Sequence, residues 1–157
     1  MDVVGQYLYE AVYQGERVAL KLGDIWQYPE LEKEMLCEAE IYISLKKLQG
    51  RTIPKLKGYG YTAGGLFAIV TDIAGFPIKA EDMNNEQCNK AVVNVLAQIH
   101  KHGILHGDIR RDNILVKPAR NRIKVSIIDF GFSRKILDEG EAQREMMALK
   151  KMLGSSS

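Results

Sequence analysis

With 157 residues, 46% of them hydrophobic, the chain is long enough to bury one core and short for more than one domain. Its 22 basic and 20 acidic residues are interspersed and leave a net charge of +2, which gives no reason to expect nucleic acid as a partner. The apolar runs at 65–70 and 126–128 fall far short of the roughly 20 residues that cross a bilayer, and no Lys or Arg precedes Arg17, which is wrong for a secretory or organellar leader. The expectation is a globular cytoplasmic or nuclear protein with no membrane partner.

Along the chain, two strands are predicted at 7–13 and 17–22 around Gln14-Gly15, a hairpin whose second strand ends near Lys21. Pro29 opens a helix in which Leu31, Met35, Ala39, Tyr42 and Leu45 recur at helical period until Gly50, with Glu38 beside that stripe. Trp26 and Tyr28 are expected to pack on the loop before this helix. Strands at 55–61 and 66–72 flank Ala63-Gly64-Gly65 and complete a small antiparallel sheet, which Gly75-Phe76-Pro77 breaks.

A second helix is predicted over 85–102, with Cys88, Ala91, Val92, Val95, Leu96 and Ile99 on one face and Gly103 at its end. Residues 104–112 read as a charged loop. A second hairpin follows at 113–116 and 123–128, and an amphipathic helix over 139–153 precedes a flexible Gly-Ser-Ser-Ser tail. Cys37 and Cys88 fall in predicted helices without metal-ligand spacing, so both read as reduced, packed thiols.

Four islands stand in a fixed order: Val18-Ala19-Leu20-Lys21, Glu38, His106-Gly107-Asp108 with Asn113, and Asp129-Phe130-Gly131. Each alone is an ordinary strand, helix carboxylate or turn. Together, in this order and spacing, they resemble the signature set of the protein kinase superfamily over roughly residues 5–133. The resemblance implies an α+β, protein kinase-like fold: an N-lobe antiparallel sheet with one helix (about 1–75), a much shortened helical C-lobe (76–153) within a single domain of residues 1–153, and a tail of 154–157.

The resemblance also implies roles, each with a physical reason. A nucleotide triphosphate is highly charged, so an ammonium on a strand must meet its phosphates and a carboxylate must hold that ammonium, which suits Lys21 and Glu38. Mg²⁺ takes hard oxygen ligands, one or two of them from protein, which suits Asn113 and Asp129. A carboxylate must orient an acceptor hydroxyl and take its proton; Asp108, five positions before Asn113, suits that task. Arg110 matches a phosphate-steering cation. Ala19 and Leu115 fall where kinases place residues above and below the purine, Val70 where they guard the back of the pocket, and Thr71 to Ile73 where backbone groups meet the adenine edge. His106 is read as a strut of the catalytic loop, and His100 and His102 as cations suited to a helix C-terminus.

The chain departs from that pattern in three places. Only Gly5, 16 positions before Lys21, matches the Gly-x-Gly-x-x-Gly phosphate loop, and Asp2 occupies its middle glycine position. Gly107 replaces the arginine that reads an activation-loop phosphate, giving the His-Gly-Asp form seen in aminoglycoside phosphotransferases and in small atypical kinases; this implies no control by loop phosphorylation, with Ser133 the nearest candidate site. No Ala-Pro-Glu motif occurs in the 26 residues after Gly131, so the platform that grips a peptide substrate is expected to be absent or supplied by a partner chain, with Met146, Met147, Leu149 and Leu153 of the last helix closing the base of the lobe. The reading is an ATP- and Mg²⁺-dependent transferase of phosphoryl groups to a protein Ser or Thr hydroxyl. The alternatives are a pseudokinase or nucleotide-binding scaffold, and a small-molecule kinase.

Overall fold

The structure, a computed structural model, describes residues 3–154. Asp2 and the tail serines, both named above, lie outside the described residues.

Strands β1 (Gln6–Tyr13) and β2 (Glu16–Asp24) form the first hairpin. Gln14 and Gly15 make its two-residue turn at φ 51° and 81°, the left-handed pair of a type I′ turn, whose twist matches that of the strands. Helix α1 (Glu30–Ser44) then starts behind Pro29, and β3 (Leu56–Thr62) and β4 (Leu66–Thr71) complete an antiparallel sheet of order β1-β2-β4-β3. Met35 of α1 packs against Phe67 and Ile69 of β4, so the helix covers one face of this sheet and leaves the other face to solvent along β1.

The second half is built on a smaller sheet. The predicted break at Gly75-Phe76-Pro77 contains a two-residue strand, β5 (Phe76–Pro77), which pairs with β7 (Ile114–Ala119), which in turn pairs with β8 (Arg122–Ile127). Helix α2 (Glu86–Lys101) is capped by Asn85, whose side-chain oxygen accepts from the N–H groups of Gln87 and Cys88. Its face of Cys88, Val92, Val95, Leu96 and Ile99 is buried. The segment predicted as loop includes β6 (Ile104–Leu105), paired with β9 (Arg134–Lys135). Helix α3 (Glu139–Met152) closes the chain, capped by Asp138.

One continuous core runs from Tyr42 and Leu45 of α1 through Phe130 to α2, the second sheet, and Leu149 and Leu153 at the α3 end. The fold is thus the expected α+β arrangement: an antiparallel sheet with one helix, joined to a short second half with two helices. Two surface residues differ from expectation. Trp26 is 83% exposed, since only its backbone is engaged, its N–H donating to the Gly65 carbonyl. Met147 is 68% exposed because the α3 stripe that packs inward is Met146, Leu149 and Met152.

Candidate active site

The residues that carry the motif islands converge on the space between the two sheets. Lys21, on β2, donates to Glu38 Oε2 at 2.7 Å and to Asp129 Oδ1 at 3.3 Å. The helical stripe of α1 turns Glu38 inward, and the first sheet carries Lys21 on its α1-facing side. Asp129 lies two residues past the end of β8 and sits at φ 66°, a left-handed conformation uncommon for a residue other than glycine, and its carboxylate meets the ammonium. Residues 108 positions apart thereby share one ion-pair cluster.

The electrostatics follow from this burial. Desolvation alone would lower the Lys21 pKa, but the Glu38 and Asp129 carboxylates outweigh it and raise it above the ordinary lysine value. For Glu38, burial pushes the carboxyl up and the attraction of Lys21 only partly offsets it.

The second group lies on the loop between β6 and β7. Asn113 donates through Nδ2 to the Asp108 carbonyl at 2.9 Å and to Asp108 Oδ2 at 3.2 Å. Arg110 Nε lies 3.5 Å from the same carboxylate. The β7–β8 ladder continues from the Ile114–Ile127 pair to an Ile128 N–H bond with the Asn113 carbonyl at 3.0 Å, so Asn113 and Asp129 leave adjacent strand ends side by side.

His106 is fully buried and fixes this loop. Its Nε2 donates to the Ile128 carbonyl at 2.8 Å while Nδ1 accepts the Asp108 N–H at 3.1 Å, which defines a neutral tautomer; burial lowers its pKa accordingly. Phe130, also fully buried, meets Tyr42 of α1 edge-on at 5.1 Å and His106 at 5.2 Å. The strut role read for His106 thus has a definite geometry.

The proposed purine contacts divide. Ala19 and Thr71 are register partners on the same sheet face as Lys21 and Ile69. Ile73 lies in the extended link between the two sheets, and Leu115 lies on β7 opposite Pro77 at the far end of that link. Val70 is the correction: it pairs with Leu20, so its side chain leaves the opposite face of the pleat, and Thr71, not Val70, shares the face of Lys21. Gly5 precedes β1, and a side chain there would meet the Tyr28 ring at 2.3 Å and Leu31 at 3.0 Å. The space its missing Cβ leaves is filled by Tyr28.

Gly107 has a structural reason. Its φ is +86°, and a Cβ would lie 2.3 Å from the Phe132 carbonyl oxygen. Gly107→Ala is expected to lower the unfolding midpoint, the left-handed backbone alone costing about 1–2 kcal/mol, as measured by thermal denaturation; an unchanged midpoint would refute the contact. Ser133, proposed as the nearest modification site, is buried, and its hydroxyl donates to the His106 carbonyl at 2.7 Å. It is not presented to another enzyme.

Glu145, on α3, is the functional residue that sequence reasoning missed. Its Oε1 accepts the His106 N–H at 2.9 Å and meets His100 Nε2 at 2.8 Å, and its Oε2 accepts the Gly107 N–H at 2.8 Å. The signal was available: Glu145 stands one turn before Leu149 on the buried stripe, where a lone carboxylate needs partners. Burial pushes its carboxyl up, but His100 and the two backbone N–H groups outweigh this and hold it below the ordinary glutamate value. A depressed folded pKa stabilises the fold above the unfolded value and loses that stabilisation as pH falls. Glu145→Gln is therefore expected to cost about 1.5–3 kcal/mol near neutrality, with the gap to the parent closing in acid; chemical denaturation at several pH values measures both.

The fold and these side chains together are those of a protein kinase-like domain. The chain matches the protein kinase domain family over residues 9–156 and belongs to that family. It is similar to myosin light chain kinase A of Dictyostelium discoideum, with 27% identity over 86% of this chain and 50% of that protein. It is also similar to the serine/threonine-protein kinase Pkn1 of Myxococcus xanthus, with 30% identity over 82% of this chain and 19% of that protein. The chain thus spans half or less of these relatives. Among the described residues no helix is long and apolar enough to cross a membrane.

Proposed function

We propose that the protein transfers the γ-phosphoryl group of ATP to a Ser or Thr hydroxyl of a protein, as a single domain of residues 1–153 whose two parts meet near residue 75. The observation that carries this reading is the convergence of Lys21, Glu38 and Asp129 beside the Asp108–Asn113 loop. Names of the relatives as Ser/Thr and myosin light chain kinases support the acceptor class. In the proposed reaction Lys21, held by Glu38, meets the phosphates; Asp108 orients the acceptor hydroxyl and takes its proton; Arg110 steers the transferred group.

The residues fit Mg²⁺. Asn113 commits its amide nitrogen to Asp108, which leaves its side-chain oxygen free to ligate, and with the Asp129 carboxylate it offers hard oxygens of the kind Mg²⁺ takes from protein. When bound, Mg²⁺ would supply charge neutralisation at the phosphates. Residues 71–73 and 115 would frame the base.

The test is incubation with γ-labelled ATP and Mg²⁺ in the presence of generic protein substrates or small alcohols. Label on protein hydroxyls supports the proposal; label on the alcohols alone replaces it with a small-molecule kinase. A rise in unfolding midpoint with millimolar ATP and Mg²⁺, absent with either alone at the same concentration, is also expected, and a folded protein showing no shift would remove the nucleotide from the reading.

A further inference from the structure

A second pocket, sharing no residue with the proposed nucleotide site, opens between the 50–52 turn, α2 and β8. It has a volume of about 410 Å³, and its walls include Arg51, Thr52, Ala91, Val95, Arg122 and Lys124. Two distant segments meet there: the Ile127 N–H donates to the Thr52 carbonyl at 3.0 Å, and Lys124 Nζ donates to the Gly50 carbonyl at 2.9 Å. That bond fixes the position of the Lys124 ammonium and leaves its other hydrogens for a ligand.

The charge around this pocket is one-sided. Residues 46–57 and 117–124 hold nine of the 22 basic residues of the chain and none of its 20 acidic ones, so the remainder of the molecule is net acidic. Lys57 pairs with Glu16 and Asp72. Among the described residues Arg51, Arg122 and Lys124 form no ion pair, although three cations bordering one concavity repel one another. The Thr52 hydroxyl, on a residue of the pocket wall, is closed off from solvent and has no hydrogen-bond partner in the described structure. Unpaired guanidinium groups, a positioned ammonium and an unsatisfied hydroxyl are the donors that a phosphate group collects.

We propose that this pocket binds a phosphate monoester, carried as phosphoserine or phosphothreonine on a protein segment. The cavity is a discrete concavity with Ala91 and Val95 on its wall to receive the stem of a side chain, whereas an extended polyphosphate backbone uses a continuous basic groove with stacking surfaces. The site stands apart from the phosphotransfer reading and does not depend on it.

The experiment is an amide NMR titration of the whole chain with inorganic phosphate, with a short glycine- and alanine-flanked phosphoserine peptide, and with its unphosphorylated twin. Shifts confined to residues 50–52 and 122–125 are expected for both phosphate probes and for neither residue group with the twin. Stronger binding of the peptide than of inorganic phosphate is expected, and equal binding marks the free anion and overturns the protein-borne ligand. Arg51→Gln with Arg122→Gln, both on exposed side chains, should weaken binding 10-fold or more and leave the rest of the spectrum unchanged. The proposal is overturned if shifts appear at residues 21 and 129 instead, if the double variant binds equally well, or if an oligothymidylate binds more tightly than the phosphopeptide.

Discussion

Asp108→Asn is expected to leave nucleotide affinity unchanged and to lower turnover by about 10²-fold or more, the usual scale of general-base and positioning effects. The side chain bonds within its own loop rather than into the ion-pair cluster: Oδ2 lies 3.2 Å from Asn113 Nδ2 and 3.5 Å from Arg110 Nε, and among the bonds of the described residues none joins it to Lys21. Asparagine keeps the shape and one acceptor oxygen for Asn113, so the loop is preserved while the proton acceptor is lost. Calorimetric titration with ATP and Mg²⁺ measures the first quantity, and label transfer from ATP measures the second. Equal turnover in both proteins would sink the phosphotransferase reading and leave a nucleotide-binding scaffold in its place.

Lys21→Met should have the largest effect on stability. Lys21 and Glu38 side chains are 11% and 5% exposed, and removing one member of a buried pair leaves the other charge uncompensated, at a cost of about 3–5 kcal/mol. The sign with pH is fixed by Glu38. Burial already raises its folded pKa, and without the ammonium that pKa rises further. A carboxyl with a raised folded pKa favours the fold in acid and opposes it as pH rises through the unfolded value and on to the folded one. Destabilisation in Lys21→Met is therefore largest at neutral pH and shrinks in acid. Adding Glu38→Gln should recover most of the stability but none of the nucleotide affinity. Urea unfolding at several pH values decides the matter, and a pH-independent loss would mean that the pair does not control the energetics.

Much of this arrangement is legible in the amino-acid order, for physical reasons. The 3.6-residue recurrence of Leu31, Met35, Ala39 and Tyr42 marks the buried face of α1, and Gln14-Gly15 marks the turn of the first hairpin. Spacing alone placed Asp108 and Asn113 on one loop. The two-residue strands β5, β6 and β9 are too short to carry a period, so their pairings were invisible. Val70 took its role from the resemblance alone, because Ile69-Val70-Thr71 is β-branched at every position and lacks the alternation that assigns sides; only the pairing with Leu20 shows its face. Glu145 was overlooked because its partners, the His106 and Gly107 N–H groups and the His100 ring, stand some forty positions earlier, which no local motif announces.

The bond from Glu145 to the His106–Gly107 backbone also sets an order of events as the chain folds. The His106 and Gly107 N–H groups, at the start of the loop carrying Asp108 and Asn113, are satisfied by a residue some forty positions later, and closing such long loops is entropically slow. The first hairpin and α1 rest on local contacts and can form early, whereas the His106 and Gly107 N–H groups stay unpaired until α3 docks. The geometry of this loop is thus completed by α3, and a ribosome-bound chain halted before Glu145 would hold Lys21 and Glu38 in place with the His106 and Gly107 donors unpaired.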